Sequence, residues 1–113
     1  MTDQSIEQEI QQKGLTAPRI TPADVENNIV SQHFFTAAQG SCAAAPQQPI
    51  SSSLDLLTFC VLVLENGFTV TGESACASPD NFDAEIGRKI ARQNAVSKIW
   101  PLMGYELRSQ LAK

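Results

Sequence analysis

Asn66-Gly67, set between two apolar runs rich in β-branched residues, restricts this chain more than any other short stretch. Leu54 to Leu64 and Phe68 to Ala75 have strand composition. Asn-Gly between such runs is the strongest local hairpin signal, because both central residues of the tight turn take positive φ. A two-residue turn sets Val63 opposite Val70, Val61 opposite Gly72 and Phe59 opposite Ser74. That face also carries Phe68 and is the natural bed for a helix. On the other face Cys60, Leu62 and Leu64 meet Glu73, Thr71 and Thr69, apolar on one strand and polar on the next. Two strands alone are barely stable in water. The exposed edges and half-apolar back therefore predict docking of another helix or pairing with a second copy.

The helix for that bed is read from Ser78 to Leu111, the longest stretch with helical periodicity. Ser78 offers a capping hydroxyl, Pro79 suits the first helical position, and Asp80 or Asn81 can cap one turn later. Asp83 and Glu85 lie where the helix dipole favours negative charge. Phe82, Ile86, Ile90, Val96, Trp100 and Met103 fall in one arc and are expected to be core. Gly87, Ala91 and Ala95 form a small-residue ridge on the far side, open to a second neighbour. Pro101 is expected to end or kink the helix at Trp100, and Gly104 to permit a turn before the last residues.

Upstream, Thr21, Pro22 and Asp24 have the pattern of a capped helix start, read as running from Pro22 to about Ala38, with Gly40 as its stop. The Ala, Gln, Pro and Ser composition of residues 38–53 reads as a mobile linker. Residues 1–20 read as a flexible arm with a weak helical signal at Ile6 and Ile10, since isolated helices this short are marginal in water. Residues 21–113 then form one small α+β domain of hairpin, long helix and first helix.

Apolar residues at 42% and charged residues at 18% fit a globular protein, and no run reaches the roughly 18 apolar residues that a membrane span requires. The polar, acidic start is unlike a signal peptide, so the cytoplasm is the expected location. A net charge of −4 argues against nucleic acid as a partner. The three cysteines, Cys42, Cys60 and Cys76, lack metal-knuckle spacing and read as reduced thiols.

The residues from Thr58 to Leu107 carry a further signal. Asn66-Gly67-Phe68, Gly72 to Ala75, Asn81 to Asp83, Gly87 to Ala91, Ile99-Trp100 and Gly104-Tyr105 together resemble a family of small tailed-phage proteins named after gene product 49 of a coliphage and gene 66 of a Shigella phage. With the Thr-Pro-Ala-Asp-Val-Glu start at Thr21, the resemblance covers roughly Leu15 to Leu111. It implies a phage or prophage origin and assigns no catalytic residue.

Groups for catalysis are sparse. His33 is the one histidine, so no histidine cluster for a metal can be built within the chain, and it reads as half packed beside Phe34. Ser74 lacks a nucleophile-elbow frame, and neither Cys60 nor Cys76 has a basic sequence neighbour to lower its pKa. No enzyme activity, cofactor or metal is expected. Glu73, placed beside Cys60 by the two-residue turn, can bind an arginine of another element or subunit, or end a strand in solvent. Arg88, Lys89 and Arg92 form a basic cluster able to grip a phosphate or carboxylate, or to pair internally with Asp83 and Glu85. Trp100 and Tyr105 flank a rigid bend, as an interface anchor or as the seal of a core.

The expected role is a non-enzymatic phage accessory protein, at least dimeric, that binds a host protein, with a component of antiviral defence as one such target. The alternatives are sequestration of a small anionic ligand such as a nucleotide signal through Arg88 and Arg92, and, against the charge, association with nucleic acid.

Overall fold

The computed structural model describes residues 2–113 as an α+β domain with one helix laid on a three-stranded antiparallel sheet. In chain order the elements are α1 (Asp3–Gln12), α2 (Pro22–Asn27), β1 (Ile29–Thr36), α3 (Ala37–Ala44), β2 (Leu57–Leu64), β3 (Thr69–Ala75) and α4 (Ala84–Leu111). The strand order is β1-β2-β3, so the apolar strand β2 is central and β1 and β3 are edges.

The hairpin is present, but its loop has three residues rather than two. The Leu64 N–H donates to the Phe68 carbonyl at 2.8 Å and the Gly67 N–H to the Leu64 carbonyl at 2.9 Å, enclosing Glu65, Asn66 and Gly67. Only Gly67 has positive φ, at 88°, and the Asn66 side chain instead accepts the Phe68 N–H at 2.9 Å. This is a turn closed by a left-handed glycine, the usual three-residue hairpin. The added loop residue moves the register by one, so that Leu62 faces Val70, Cys60 faces Gly72 and Phe59 faces Glu73. A slip of one residue exchanges the faces of a strand relative to its partner. The apolar-against-polar mismatch of the two-residue register disappears: Cys60, Leu62, Leu64 and Val70 share the buried face, while Phe59, Val61 and Val63 lie with Thr69, Thr71 and Glu73 on the other.

Helix α4 crosses the buried face with its backbone almost touching the sheet. A Cβ on Gly72 would lie 2.2 Å from the Ala91 carbonyl oxygen and 2.3 Å from the Ala95 nitrogen. Only a glycine on the strand and small residues on the helix permit this approach. The ridge of Gly87, Ala91 and Ala95, continued by Ile99, is therefore the face that packs on the sheet, and Ala91, Ala95 and Ile99 are fully buried. The bulky arc expected to be core is divided: Val96, Trp100 and Met103 flank the core, whereas Ile86 and Ile90 are exposed. Helical periodicity identified two apolar stripes, and bulk selected the wrong one.

Other boundaries differ for local reasons. The Thr21 capping box forms, with Thr21 Oγ1 accepting the Asp24 N–H at 3.1 Å and Asp24 returning a bond at 2.9 Å. Yet α2 stops at Asn27, and Ile29 to Thr36, read as its continuation, is strand β1 paired along β2. Its β-branched and aromatic residues suit a half-buried sheet. Thr36 then caps α3 through a capping box with Gln39, so Ala37–Ala44, which falls mostly within the 38–53 linker, is helical, and Ser52–Leu56 forms a 3-10 turn, so the strand expected from Leu54 starts at Leu57. Residues 79–81 make a separate 3-10 turn, Ser78 makes no side-chain cap, and Asp83 caps α4 by accepting the Ile86 N–H at 3.0 Å. Pro101 does not end α4, which continues through Gly104 to Leu111. A proline inside a helix costs about 3 kcal/mol; here Leu102, Met103, Glu106, Leu107, Arg108 and Gln110, all strong helix formers, carry the helix on. Helix α1, with Arg19 bound to Glu7, is the structured part of the arm.

Gly72→Ala must push α4 off the sheet and should lower unfolding free energy by about 3 kcal/mol, whereas Ile86→Ser and Ile90→Ser should each change it by less than about 0.5 kcal/mol. Urea unfolding followed by circular dichroism checks this; equal losses at Gly72 and Ile90 would contradict the packing.

Candidate functional site

The close seat of α4 on Gly72 fixes where its polar residues point. Arg92 is turned over the β1 side, where Nη1 and Nη2 bind the Glu26 carboxylate at 3.0 and 2.8 Å and Nε binds Gln32 Oε1 at 2.8 Å. One guanidinium thus ties α4 to α2 and β1 in the planar, bidentate geometry that arginine favours. The arginine hydrogen bond holds the Glu26 carboxyl below its ordinary range, and the same contact raises Arg92. Arg92 is a structural clamp and not a free cation. Lys89 pairs with Glu85 at 3.2 Å along the exposed helix face.

Arg88 differs from both, since among the described residues it makes no ion pair. It lines a recess of about 230 Å³ with Phe34, Phe35, Thr36, Gln39, Thr58 and Phe82. The recess is built from five places in the chain: β1 supplies two phenylalanines and Thr36, α3 supplies Gln39, β2 supplies Thr58, the turn before α4 supplies Phe82, and the first turns of α4 supply Arg88. Gly87 lets the helix close over β2 there, since a Cβ on it would be 3.1 Å from Thr58 Oγ1. An unpaired guanidinium beside aromatic rings and amide or hydroxyl groups can hold a planar anion. The basic cluster read from sequence therefore separates into a clamp, a surface pair and one available arginine.

Trp100 and Tyr105 do not come together. Trp100 is half-buried and seats α1, lining a cleft with Ile6, Ile10, Ile20 and Pro22. Tyr105 is 78% exposed and borders a groove of about 440 Å³ between α4 and the hairpin tip, with Leu64, Phe68, Leu102, Met103 and Glu106. Phe68 and Leu102 are also exposed there. Neither was a candidate in the sequence; Phe68 directly after the turn was its available signal, since a large ring at a hairpin tip has few intrachain neighbours.

Glu73 lies on the sheet face opposite Cys60, not beside it, because of the register. Its carbonyl accepts Asn94 Nδ2 at 2.8 Å. Cys60 is buried, which pushes its thiol pKa up and makes it inert; Cys42 and Cys76 are also free thiols, and Cys76 donates to the Ser78 carbonyl at 3.1 Å. His33 is on strand β1, exposed, with its ring 3.1 Å from the Ser31 hydroxyl. Among the described residues no group of His, Cys, Asp or Glu can hold a metal ion, and no helix is long and apolar enough to cross a membrane.

These features define a small α+β protein whose recesses are lined by aromatic residues and one free arginine. The chain belongs to the Phage protein (N4 Gp49/phage Sf6 gene 66) family, whose model matches residues 20–111, from the end of the arm to the last turn of α4. No curated protein and no solved structure matches it.

Since Glu26 has a depressed folded-state pKa, its contribution to stability is present above the ordinary carboxylate value and is lost as pH falls through the lowered one. Glu26→Gln should therefore reduce the loss of stability on acidification, and a double-mutant cycle with Arg92→Ala should give a coupling below about 1 kcal/mol, as for partly exposed pairs. Urea titrations across acid pH test both.

Proposed function

We propose that this phage protein is a non-enzymatic accessory protein that acts in the bacterial cytoplasm by binding a host protein, with a component of antiviral defence as a fitting target. The observation that carries the reading is the groove beside Tyr105, where Phe68, Leu102 and Tyr105 present apolar surface to solvent around Leu64 and Met103. Large exposed apolar residues gathered in one recess are the usual mark of an interaction site, and a tyrosine there supplies area and a hydrogen bond at low entropic cost. The acidic groups Glu65 and Glu106 near the groove favour a partner surface with basic residues at its rim.

A second reading rests on Arg88. Its free guanidinium among Phe34, Phe35 and Phe82 suits a small anion with a planar group, such as a nucleotide. In this reading the protein sequesters the ligand, and Arg92, occupied by Glu26, only positions the helix. The overall acidity again disfavours nucleic acid.

Two variants distinguish the readings. Phe68→Asp combined with Tyr105→Asp should abolish capture of a host protein that the wild type binds when both are purified, with Arg88→Glu retaining it. For the ligand, native mass spectrometry of the protein from a bacterial host should show an adduct of a few hundred daltons that is lost in Arg88→Glu. A purified host partner bound equally by the Phe68/Tyr105 variant would overturn the first reading, and an adduct retained in Arg88→Glu would overturn the second.

A further inference from the structure

We propose that β1 is the edge through which two copies of this chain join into one continuous six-stranded antiparallel sheet, with the two-fold axis passing between the His33 residues. The inference is independent of both binding readings above.

The two edges of the sheet are unlike. On β3, Glu73 carries a charge and its carbonyl is occupied by Asn94 of α4, two devices that blunt an edge. On β1 the sequence Ile29 to Thr36 has no charged residue and no proline, and Val30, Gln32 and His33 are exposed. Hydrogen bonding alternates along an antiparallel ladder. The Leu64–Phe68 bond sets the phase, so Leu62 and Cys60 bond to β3, and Val63, Val61 and Phe59 bond to Ser31, His33 and Phe35 of β1. The backbone groups of Gln32 and Phe34 therefore point away from the sheet. Below them the ladder is broken by a bulge between Ile29 and Ser31, and above them the Thr36 N–H is taken by Gln39 Oε1 at 2.9 Å. The regular, free part of the edge consists of the N–H and C=O groups of these two residues.

That set is complementary to itself. An antiparallel second copy centred on His33 places Gln32 opposite Phe34 of the other copy, twice by symmetry, and every free N–H and C=O of the regular edge finds a partner. Centring on Gln32 runs the pairing into the bulge, and centring on Phe34 sets Gln32 against the already capped Thr36. Lacking charge, the strand brings no like charges together when it pairs with itself. A second copy therefore matches in length, register and charge. The same pairing lays Gln32 of each copy beside Phe34 of the other, so the recess under Arg88 gains a wall from the second copy.

The test uses the full chain. Sedimentation equilibrium at micromolar concentration should give twice the 12.2 kDa protomer mass. With Cys42→Ser and Cys76→Ser in place, His33→Cys should form a disulfide-linked dimer on mild oxidation, because residues directly opposite in a non-hydrogen-bonded pair bring their Cβ atoms closest. Gln32→Cys, which faces Phe34 instead of itself, should not. His33→Glu should weaken the dimer by setting like charges opposite one another, and His33→Lys should do the same, with circular dichroism and melting temperature as in the wild type for whichever variant is scored. A monomer at all concentrations would overturn the proposal. So would a dimer that neither charged variant weakens, or one in which His33→Cys fails to cross-link.

Discussion

The approach of α4 to Gly72 is the contact on which the rest of the structure depends. With the strand glycine and the helix backbone within van der Waals reach, no side chain fits between the two layers at that point. The layers are held instead by large residues placed around it: Leu62, Val70 and Leu64 from the sheet, Ile99 from the next turn of the helix and Val25 from α2. Such a seat fixes the helix in rotation as well as in position, because any other stripe would bring a bulky side chain onto Gly72. Small residues that cost burial area thus provide specificity, and the surrounding apolar residues provide the burial.

Rotation of α4 then assigns every residue along it. Gly87, Ala91, Ala95 and Ile99 face inward, which turns Arg92 towards Glu26 and Gln32 and leaves Arg88 over the phenylalanines of β1 and Phe82. Beyond Ile99 the helix runs on past Pro101 to flank the hairpin tip, and its exposed Leu102 and Tyr105 meet Phe68 there. The recesses are products of this one packing decision. A protein of 113 residues has limited area to bury, and here the helix is longer than the sheet it covers, so apolar side chains at its far end remain accessible.

The family pattern follows the same physics. Asn66-Gly67-Phe68 specifies the hairpin, the glycine of Gly72 to Ala75 receives the helix, Asp83 caps it and Gly87 to Ala91 begins the ridge. These residues build the scaffold. The arginine, aromatic and apolar residues around the recesses sit on that scaffold, and a fold alone does not name a partner.

Much of the local chemistry, in which one residue acts on its near neighbours, was legible in the sequence. The hairpin, the Thr21 capping box, the α+β class, the long helix and the presence of two apolar stripes on it all follow from spacing and turn chemistry. Choices that compare distant segments were not. Loop length set the register, and with it the faces of the sheet, because Asn66 accepts the Phe68 N–H without positive φ. The apolar spacing of residues 29–36 suits helix or strand, and only β2 lying alongside makes a strand the better pairing. The division of Arg88, Lys89 and Arg92 into one free cation and two paired ones required Glu26, far away in the chain, to be brought to Arg92. The sequence by itself determined the hairpin, the Thr21 cap and the long helix with its two apolar stripes, since those energies are local; the tertiary structure decided that residues 29–36 are a strand, which stripe is buried and which arginine of the cluster is free, since those depend on the size and charge of groups that only folding brings together.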